Sequence, residues 1–332
     1  MSRSLTPLEP VAKNRVFPEK WFSCIEKHAL PNTLGQIYVE NHSSLMVSEH
    51  VKSMIRTLKD MVMIQINDAP WLEQKTKSAS KFKIDKIKTS IAYPKWYDQP
   101  SKKNQYECVN MLPHHPEAKY CAPKNKMYIT AAYFQTPFYD VSLPFNMNYA
   151  SLGSLIGHEM YHSLDTNGLW FDVDCKKTAW WPHNMISIYN NKKDCFTSQY
   201  SYYTIKEFRG YRDAPTKPYF FTTIEEDVSD TMGLKVAYEG YRLKLLEANH
   251  VCGSLPQLSK FSCDQLFFIS FARTFCTAAT PRQMMFAARY DEHHTPRIRV
   301  NGAVSNMKEF SDAFQCSANA PLNPKRRCDM WE

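Results

Sequence analysis

The sequence predicts a mainly α-helical α+β protein with a small sheet. Apolar residues recur at helical spacing over much of the first 90 residues and again in three later segments. Between these regions, residues 127–132 carry the aromatic and β-branched side chains that favour a strand. The 332 residues are 43% hydrophobic and 22% charged, which is the composition of a globular chain with one large domain or two.

The order of helices and strands is predicted from the positions at which the spacing of apolar residues changes. Before residue 91, side chains such as Met54, Leu58 and Met61 recur on one helix face, which predicts helices over 37–66 and 71–87. Residues 93–123 are rich in Pro, Asn, His and Lys and predict loops with short strands. The later helices are predicted over 149–164, 225–248 and 264–275, the last with Asp264 as its N-cap.

Hydropathy and charge argue against two kinds of partner. No apolar run approaches the roughly 18 residues of a membrane-spanning helix, and the first 20 residues lack the apolar core of a secretory signal. The formal charge of +8 comes from scattered side chains. The densest lysines, between residues 75 and 88, alternate with isoleucines as on a solvated helix face. We therefore expect neither a membrane span nor a nucleic-acid partner.

The cysteines indicate an oxidising compartment. Ten cysteines are many for a cytosolic chain, and no two of them form a Cys-x-x-Cys pair typical of zinc knuckles or redox motifs. The glycosylation sequon Asn41-His42-Ser43 agrees with this interpretation. The protein is therefore expected to be extracellular or secreted.

The segment His158-Glu159-Met160-Tyr161-His162 contains the candidate catalytic residues. Residues four apart stand one turn apart on the same helix face, so both imidazoles can reach one zinc ion. Glu159 then lies beside the open coordination position, where it can take a proton from water. The pattern predicts a catalytic zinc site.

A catalytic zinc ion needs a third protein ligand. The three-histidine continuation of the motif fails, because Gly168 stands where its last histidine would be. Glu226 and Asp230, one helical turn apart, are the candidates: one can bind the metal while the other orients a histidine. Acidic runs near a helix start also serve only as caps and dipole partners, so the residues alone leave this open.

Six motifs in order resemble the neprilysin-type zinc metallopeptidases. The segment from Ile156 to Asp165 contains the His-Glu-x-x-His pattern, and the segment from Glu226 to Gly233 follows it. The other motifs are Trp180-Trp181, Gln265-Leu266-Phe267-Phe268, His294-Thr295-Pro296 with Arg299-Val300-Asn301-Gly302, and Asn323-Pro324 to Trp331. The resemblance covers nearly the whole chain. It implies a zincin-like metallopeptidase domain over 91–332, preceded over 1–90 by the remnant of a second helical lobe. Because full members are about twice as long, the chain looks like a truncated member.

The resemblance implies a role for each site residue. His158, His162 and Glu226 would hold one Zn²⁺, and Glu159 would be the base. Asp230 and Asp165 would be carboxylates that hold the ligand imidazoles in one tautomer.

Substrate contacts are implied as well. His294, rather than His293, would stabilise the oxyanion because Thr-Pro follows it, although its spacing to Arg299 is one residue short of the family pattern. Arg299 would contact the peptide backbone on the primed side, and Asn110 would align substrate, although Met111-Leu112 replaces the usual Ala-Tyr. Leu155 and Phe275 would favour bulky hydrophobic primed-side residues, or belong to the core.

Several cysteines receive expected partners. The resemblance implies a bridge between Cys195 and Cys328. Short loops would be closed by Cys252 with Cys263 and by Cys108 with Cys121. Four cysteines are left without an assigned partner: Cys24, Cys175, Cys276 and Cys316.

The function predicted from these residues is a zinc endopeptidase that hydrolyses small peptides by metal-activated water. Two alternatives remain open at this point. One is a catalytically silent member that serves as a binding protein or scaffold. The other is a zinc hydrolase with a different class of substrate.

Overall fold

A computed structural model of the chain describes residues 31–42, 45–93, 111–205, 220–253 and 255–332. The helices of this part are α1 Pro31–His42, α2 Leu45–Asp68, α3 Gln74–Asp85, α4 Phe145–Asn148, α5 Ser154–Tyr161, α6 His183–Ser201, α7 Phe220–Glu247, α8 Cys263–Thr274, α9 Pro281–Tyr290, α10 Pro296–Ser305 and α11 Lys308–Ala313. The strands are β1 Lys88–Ala92, β2 Ala118–Cys121 and β3 Lys126–Thr130. The mainly helical α+β class with a small sheet is confirmed.

The three strands form one sheet in the order β1-β3-β2. The central strand β3 pairs in parallel with β1 and antiparallel with β2, with Tyr120 opposite Met127. Strand β2 therefore lies at an edge. The backbone amide of Tyr120 points away from β3, because it donates to a side chain of α5. Ala118 is two residues before Tyr120, so its backbone N–H and C=O groups also point to the free edge of the sheet.

One hydrophobic core joins the helices before and after the sheet. On α2, Val51, Leu58 and Val62 are fully buried, and they belong to the same cluster as Leu234 and Val236 on α7. These buried residues recur at the helical spacing from which the sequence predicted helices in this region. The described part of residues 1–90 thus packs directly on the later helices, and the division at residue 91 stays a prediction.

Two predicted helix starts differ from the observed ones. The pattern over 149–164 contains α5, but a π-helical turn, Tyr149–Gly153, precedes it. Such single turns often adjoin functional sites. At α8 the N-cap is Ser262 instead of Asp264, because Ser262 and Gln265 form a reciprocal capping box. Asp264 lies in the first turn of that helix, where its charge favours the dipole.

Lys83 departs from the predicted solvated lysine face of α3. It is fully buried, and its Nζ donates to the carbonyl oxygens of Gly168 and Phe171 at 2.6 Å each. Burial lowers the pKa of Lys83 to about 8. The side chain therefore fixes the loop after α5 to α3, which positions the residues that follow His162.

Two of the expected disulfides are present. Cys195 is bonded to Cys328 and Cys252 to Cys263. Cys108 and Cys24 lie outside the described residues, so nothing follows for them. Among the described residues, Cys175, Cys276 and Cys316 are not disulfide-bonded. Within the described ranges, no helix is long and apolar enough to cross a membrane.

Candidate metal centre

The two motif histidines face one point, as their spacing on α5 predicts. His158 lies in the last turn of α5, and His162 follows its last residue. Their Nε2 atoms are 3.0 Å apart, and their rings are 4.7 Å apart and nearly perpendicular. Both Nε2 atoms therefore point to the same small volume.

Helix α7 crosses α5 at a contact between two glycines. A Cβ on Gly157 would lie 2.7 Å from the carbonyl oxygen of Gly233, and a Cβ on Gly233 would lie 2.4 Å from the backbone nitrogen of His158. Only glycine permits this backbone approach at both positions. Because Glu226 and Asp230 are seven and three residues before Gly233, they lie on the same face of α7 and reach His158.

Glu226 completes the cluster. Its Oε2 lies 3.0 Å from His158 Nε2 and 3.4 Å from His162 Nε2. A tetrahedral zinc ion with bonds of about 2.0 to 2.1 Å separates its ligand atoms by about 3.3 Å. The Oε2 atom is buried and has no aligned hydrogen bond within the described residues. The three donor atoms, two imidazole nitrogens and this unsatisfied carboxylate oxygen, have the separations expected around one divalent cation.

The charges of this cluster favour a cation at its centre. Burial alone would raise the pKa of Glu226, but the imidazoles of His162 and His158 hold it well below its usual range. Burial lowers the pKa of His162, but the carboxylates of Glu226 and Asp165 raise it well above its usual value. The carboxylates of this cluster therefore stabilise positive charge on the groups that face them.

Two aspartates fix the ligand imidazoles. Asp230 Oδ1 lies 2.9 Å from His158 Nδ1, and Asp165 Oδ2 lies 2.8 Å from His162 Nδ1. With Nδ1 donating to a carboxylate, each ring presents Nε2 to the metal position. Asp165 is itself held by the backbone amide of Gly168 at 2.6 Å. Both predicted carboxylates thus contact Nδ1 of a motif histidine.

Glu159 lies beside the cluster without joining it. Its Oε2 accepts a hydrogen bond of 2.7 Å from the backbone amide of Tyr120 on the edge strand β2. The side chain is buried, with 6% of the residue exposed. This contact holds one carboxylate oxygen next to the strand and leaves the other for proton transfer.

The two adjacent histidines before α10 occupy different environments. His293 Nε2 lies 3.0 Å from Glu226 Oε2, and its Nδ1 lies 2.8 Å from Asp291 Oδ1. Burial lowers the pKa of His293, but the carboxylates of Asp291 and Glu226 raise it overall to about 9. His293 therefore faces the metal position, although the sequence interpretation preferred His294 as the histidine of the site.

His294 points away from that position, contrary to the role predicted for it. Its Nδ1 lies 2.6 Å from Asp227 Oδ1, and both side chains are only 2% exposed. Tyr200 stacks on its ring with centroids 5.3 Å apart, and Thr223 Oγ1 lies 3.4 Å from Nε2. Because both ring nitrogens are engaged inside the core, His294 cannot reach a bound peptide. This geometry does not support the role predicted for His294, and His293 is the histidine of the two that faces the metal position.

Arg299 is held at the site by Asp230. Its Nε and Nη2 each lie 2.6 Å from a carboxylate oxygen of Asp230, and its guanidinium lies over Phe275 at 5.0 Å. Burial lowers the pKa of Arg299, but the carboxylate of Asp230 raises it overall, so the arginine is charged. Asn110, the other predicted substrate contact, lies outside the described residues.

Sequence reasoning missed His293 and the backbone of β2. The sequence did contain a signal for His293. The interval between the motif histidine and Arg299 is one residue shorter than in the family when it is counted from His294, and it has the family's length when it is counted from His293. For β2, no side-chain motif could have identified the contact with Glu159, because the donor is a backbone amide. Pairing partners of backbone groups depend on the fold and not on residue type.

The contact between the two helices gives a matched pair of substitutions. Gly157→Ala should lower the free energy of unfolding by about 1 to 3 kcal/mol and weaken metal binding, because the new methyl would overlap backbone atoms of α7. Gly153→Ala is the control: its nearest atoms would lie at 3.6 Å, an ordinary contact. Denaturant unfolding and metal titration of both variants check this, and equal behaviour of the two would contradict it.

Family models match two parts of the chain. Residues 117–330 match the model described as Peptidase family M13. Residues 9–94 match a second model with the same description.

Curated relatives and solved structures agree with these matches. The Endothelin-converting enzyme homolog of Locusta migratoria is 28% identical over 351 residues, covering 94% of this chain and 47% of that protein. Endothelin-converting enzyme 1 of Homo sapiens is 27% identical over 350 residues, covering 94% of this chain and 44% of that protein. The chain spans less than half the length of these two relatives. A Mycobacterium tuberculosis zinc metalloprotease solved with an inhibitor has the same fold, with a TM-score of 0.82, 23% identity, and coverage of 94% of this chain and 51% of that chain.

Proposed function

Because the chain belongs to peptidase family M13, we propose that it is a zinc-dependent endopeptidase that hydrolyses bonds in small peptides. The observation that carries the proposal is the convergence of His158, His162 and Glu226 on one point, with Glu159 beside it and outside the ligand set. Three protein ligands and a separate carboxylate are the requirements of a catalytic zinc site.

The residues of the chain have separate tasks in this proposal. When bound, zinc acts as a Lewis acid toward the scissile carbonyl and toward water. Glu159 removes the proton from the attacking water and delivers it to the leaving amine. Asp230 and Asp165 keep His158 and His162 in the tautomer that presents Nε2.

Two cationic side chains serve the bound peptide. His293 donates from Nε2 to the carbonyl oxygen as negative charge develops there, and Asp291 keeps its Nδ1 protonated. Arg299, fixed by two hydrogen bonds to Asp230, directs one of its remaining N–H groups to a backbone oxygen on the primed side.

The substrate lies along the edge of the sheet. Strand β2 has its outer backbone groups at Ala118 and Tyr120. The amide of Tyr120 donates to Glu159, so the groups left for a peptide are those of Ala118 and the carbonyl group of Tyr120. An extended peptide can add to such an edge by main-chain hydrogen bonds. This alignment accounts for substrate positioning without the predicted Asn110.

Partly buried apolar side chains near the motif helix and Arg299 favour hydrophobic primed-side residues in this proposal. Phe275 lies under its guanidinium, and Leu155 is one turn before His158 on α5. Tyr133 packs on Phe138 with ring centroids 4.6 Å apart, and burial raises the pKa of its phenol to about 12. Apolar surface of this kind would take Phe or Leu in preference to a side chain that loses its hydration on binding.

Hydrolysis of quenched fluorescent peptides tests the proposal. A peptide with Phe or Leu after the scissile bond should be cleaved, and one with Asp there should be cleaved at least about 10-fold more slowly. A chelator should abolish cleavage, and added Zn²⁺ should restore it. A chain that binds zinc but cleaves no peptide would contradict the proposal and favour the binding-protein alternative.

We also propose that the protein works in an extracellular or other oxidising compartment. The support is chemical: the Cys195–Cys328 and Cys252–Cys263 bonds form and persist in such compartments and are rare in the cytosol.

A further inference from the structure

We propose that Lys83 is a positioning residue for the metal ligand His162, so that helix α3 helps to set the affinity of the centre for its ion. The inference rests on the proposed function for the identity of the metal. It gives a task to a buried lysine that lies outside the ligand set, and to the Trp180-Trp181 motif that the proposed function leaves unused.

The first support is a continuous chain of hydrogen bonds from α3 to the imidazole. Lys83 Nζ donates to the carbonyl oxygen of Gly168 at 2.6 Å. The backbone amide of Gly168 donates to Asp165 Oδ1 at 2.6 Å, and Asp165 Oδ2 lies 2.8 Å from His162 Nδ1. Because Gly168 is held between the lysine and the carboxylate, a shift of its backbone would move the group that orients His162.

The second support is the close packing of this loop on the end of the motif. A Cβ on Gly168 would overlap the carbonyl oxygen of His162 and would lie 2.6 Å from that of Ser163. Only glycine permits the two backbone segments to approach so closely. The position of Gly168 therefore acts on His162 through the backbone as well as through Asp165.

The third support is charge. Lys83 is fully buried, and Asp165 is only 5% exposed. Burial lowers the pKa of Lys83 to about 8, and the nearby carboxylate of Asp165 acts in the opposite direction. A buried carboxylate is stable when an opposite charge lies near it. The ammonium group of Lys83 thus stabilises the negative charge that holds the imidazole of His162.

Helix α3 holds the segment after α5 at two points. At the first, Lys83 Nζ also donates to the carbonyl oxygen of Phe171 at 2.6 Å, and it lies 5.2 Å from the ring centroid of Trp180. At the second, Trp181 Nε1 donates to Ser80 Oγ at 3.1 Å. Ser80 and Lys83 are three residues apart on one buried face of α3. Ser80 therefore contacts the same segment, but farther along the chain from His162.

The anchor of the base does not depend on the lysine side chain. Asn125 Nδ2 donates to the backbone carbonyl oxygen of Lys83 at 3.1 Å, and Asn125 Oδ1 accepts from the hydroxyl group of Tyr120 at 2.7 Å. The backbone amide of Tyr120 donates to Glu159. A side-chain substitution at position 83 keeps this carbonyl group, so it should change metal affinity and leave Glu159 in place.

The zinc affinity of the full chain, measured by competition with a chromogenic chelator, tests the assignment. Lys83→Met removes the ammonium group and keeps most of the apolar length, and the affinity should fall about 10-fold. Ser80→Ala is the matched control, because it removes the hydrogen bond to Trp181 from the same face of α3, and it should change the affinity by less than about twofold. Turnover at saturating zinc should stay within about threefold in both variants.

A double-mutant cycle separates positioning from a general loss of stability. Asp165→Asn breaks the chain of hydrogen bonds at its last link. Adding Lys83→Met to that variant should therefore lower zinc affinity by less than about twofold further, and fully additive losses would overturn the inference. If circular dichroism shows that Lys83→Met does not fold, Lys83→Gln takes its place, because its amide keeps a donor for one carbonyl oxygen.

The outcomes keep this inference separate from the proposed function. Unchanged zinc affinity in a folded Lys83 variant, or an equal loss in Ser80→Ala, would overturn the positioning role and leave the peptidase proposal intact. The expected affinity differences in a chain that cleaves no peptide would support the positioning role and overturn the peptidase. A chain that binds no zinc would overturn both.

Discussion

Replacing Glu159 by Gln is expected to lower turnover by about 10²- to 10⁴-fold while zinc remains bound. The amide has nearly the shape of the carboxylate and can still accept the hydrogen bond from the amide of Tyr120, so the site should keep its geometry. It cannot accept a proton from water, which is the step assigned to this residue. Peptide cleavage rates and zinc content of the same preparation provide the two measurements.

Glu247→Gln is the matched control for this experiment. Glu247 ends α7 and pairs with Lys244 on the surface, so its substitution should leave turnover and zinc content unchanged. Full activity of Glu159→Gln would refute the assignment of the base. Loss of zinc in Glu159→Gln would show that this carboxylate belongs to the ligand set instead.

Replacing Glu226 by Gln should weaken zinc binding by at least about 10²-fold and abolish cleavage with it. The carboxylate supplies both a ligand oxygen and the negative charge that offsets a divalent cation among several imidazoles. A neutral amide supplies the oxygen without the charge. The loss should exceed the 10- to 100-fold typical of residues that only orient a ligand.

The neighbouring residue provides the control. Glu225 precedes Glu226 on α7 and pairs with Lys193 at 2.6 Å, away from the imidazoles. Glu225→Gln changes the same charge in the same turn of helix, so zinc affinity should stay within about twofold of the unsubstituted chain. If the two variants lost zinc equally, the effect would be one of net charge, and the ligand assignment to Glu226 would fail.

The two adjacent histidines show where sequence interpretation reaches its limit. Both His293 and His294 precede Thr295-Pro296, and the sequence does not contain the direction in which either side chain points. The direction is decided by Asp227 and Tyr200, which draw His294 into the core, and by Asp291, which holds His293 toward Glu226. Those partners come from α6, α7 and the end of α9, so only the packed structure brings them together.

Lys83 is a second case of the same kind. Its spacing on α3 is that of an exposed lysine face, yet its Nζ satisfies two carbonyl groups of the loop after α5. The loop that supplies those carbonyl groups lies against α3 only in the folded chain, so the contact is a property of the tertiary fold. Local periodicity carries no information about a partner more than 80 residues away.

The sequence by itself predicted the helical class and the shared face of His158 and His162, and it proposed a role for the acid between them that stays a prediction. Each of these depends on spacing within one helix, and the α-helical repeat converts that spacing directly into geometry. The tertiary structure alone decided which carboxylate and which further imidazole meet that pair. Their positions depend on how closely α7 approaches α5 at Gly157 and Gly233, and such an approach is a property of two packed helices and not of either sequence segment.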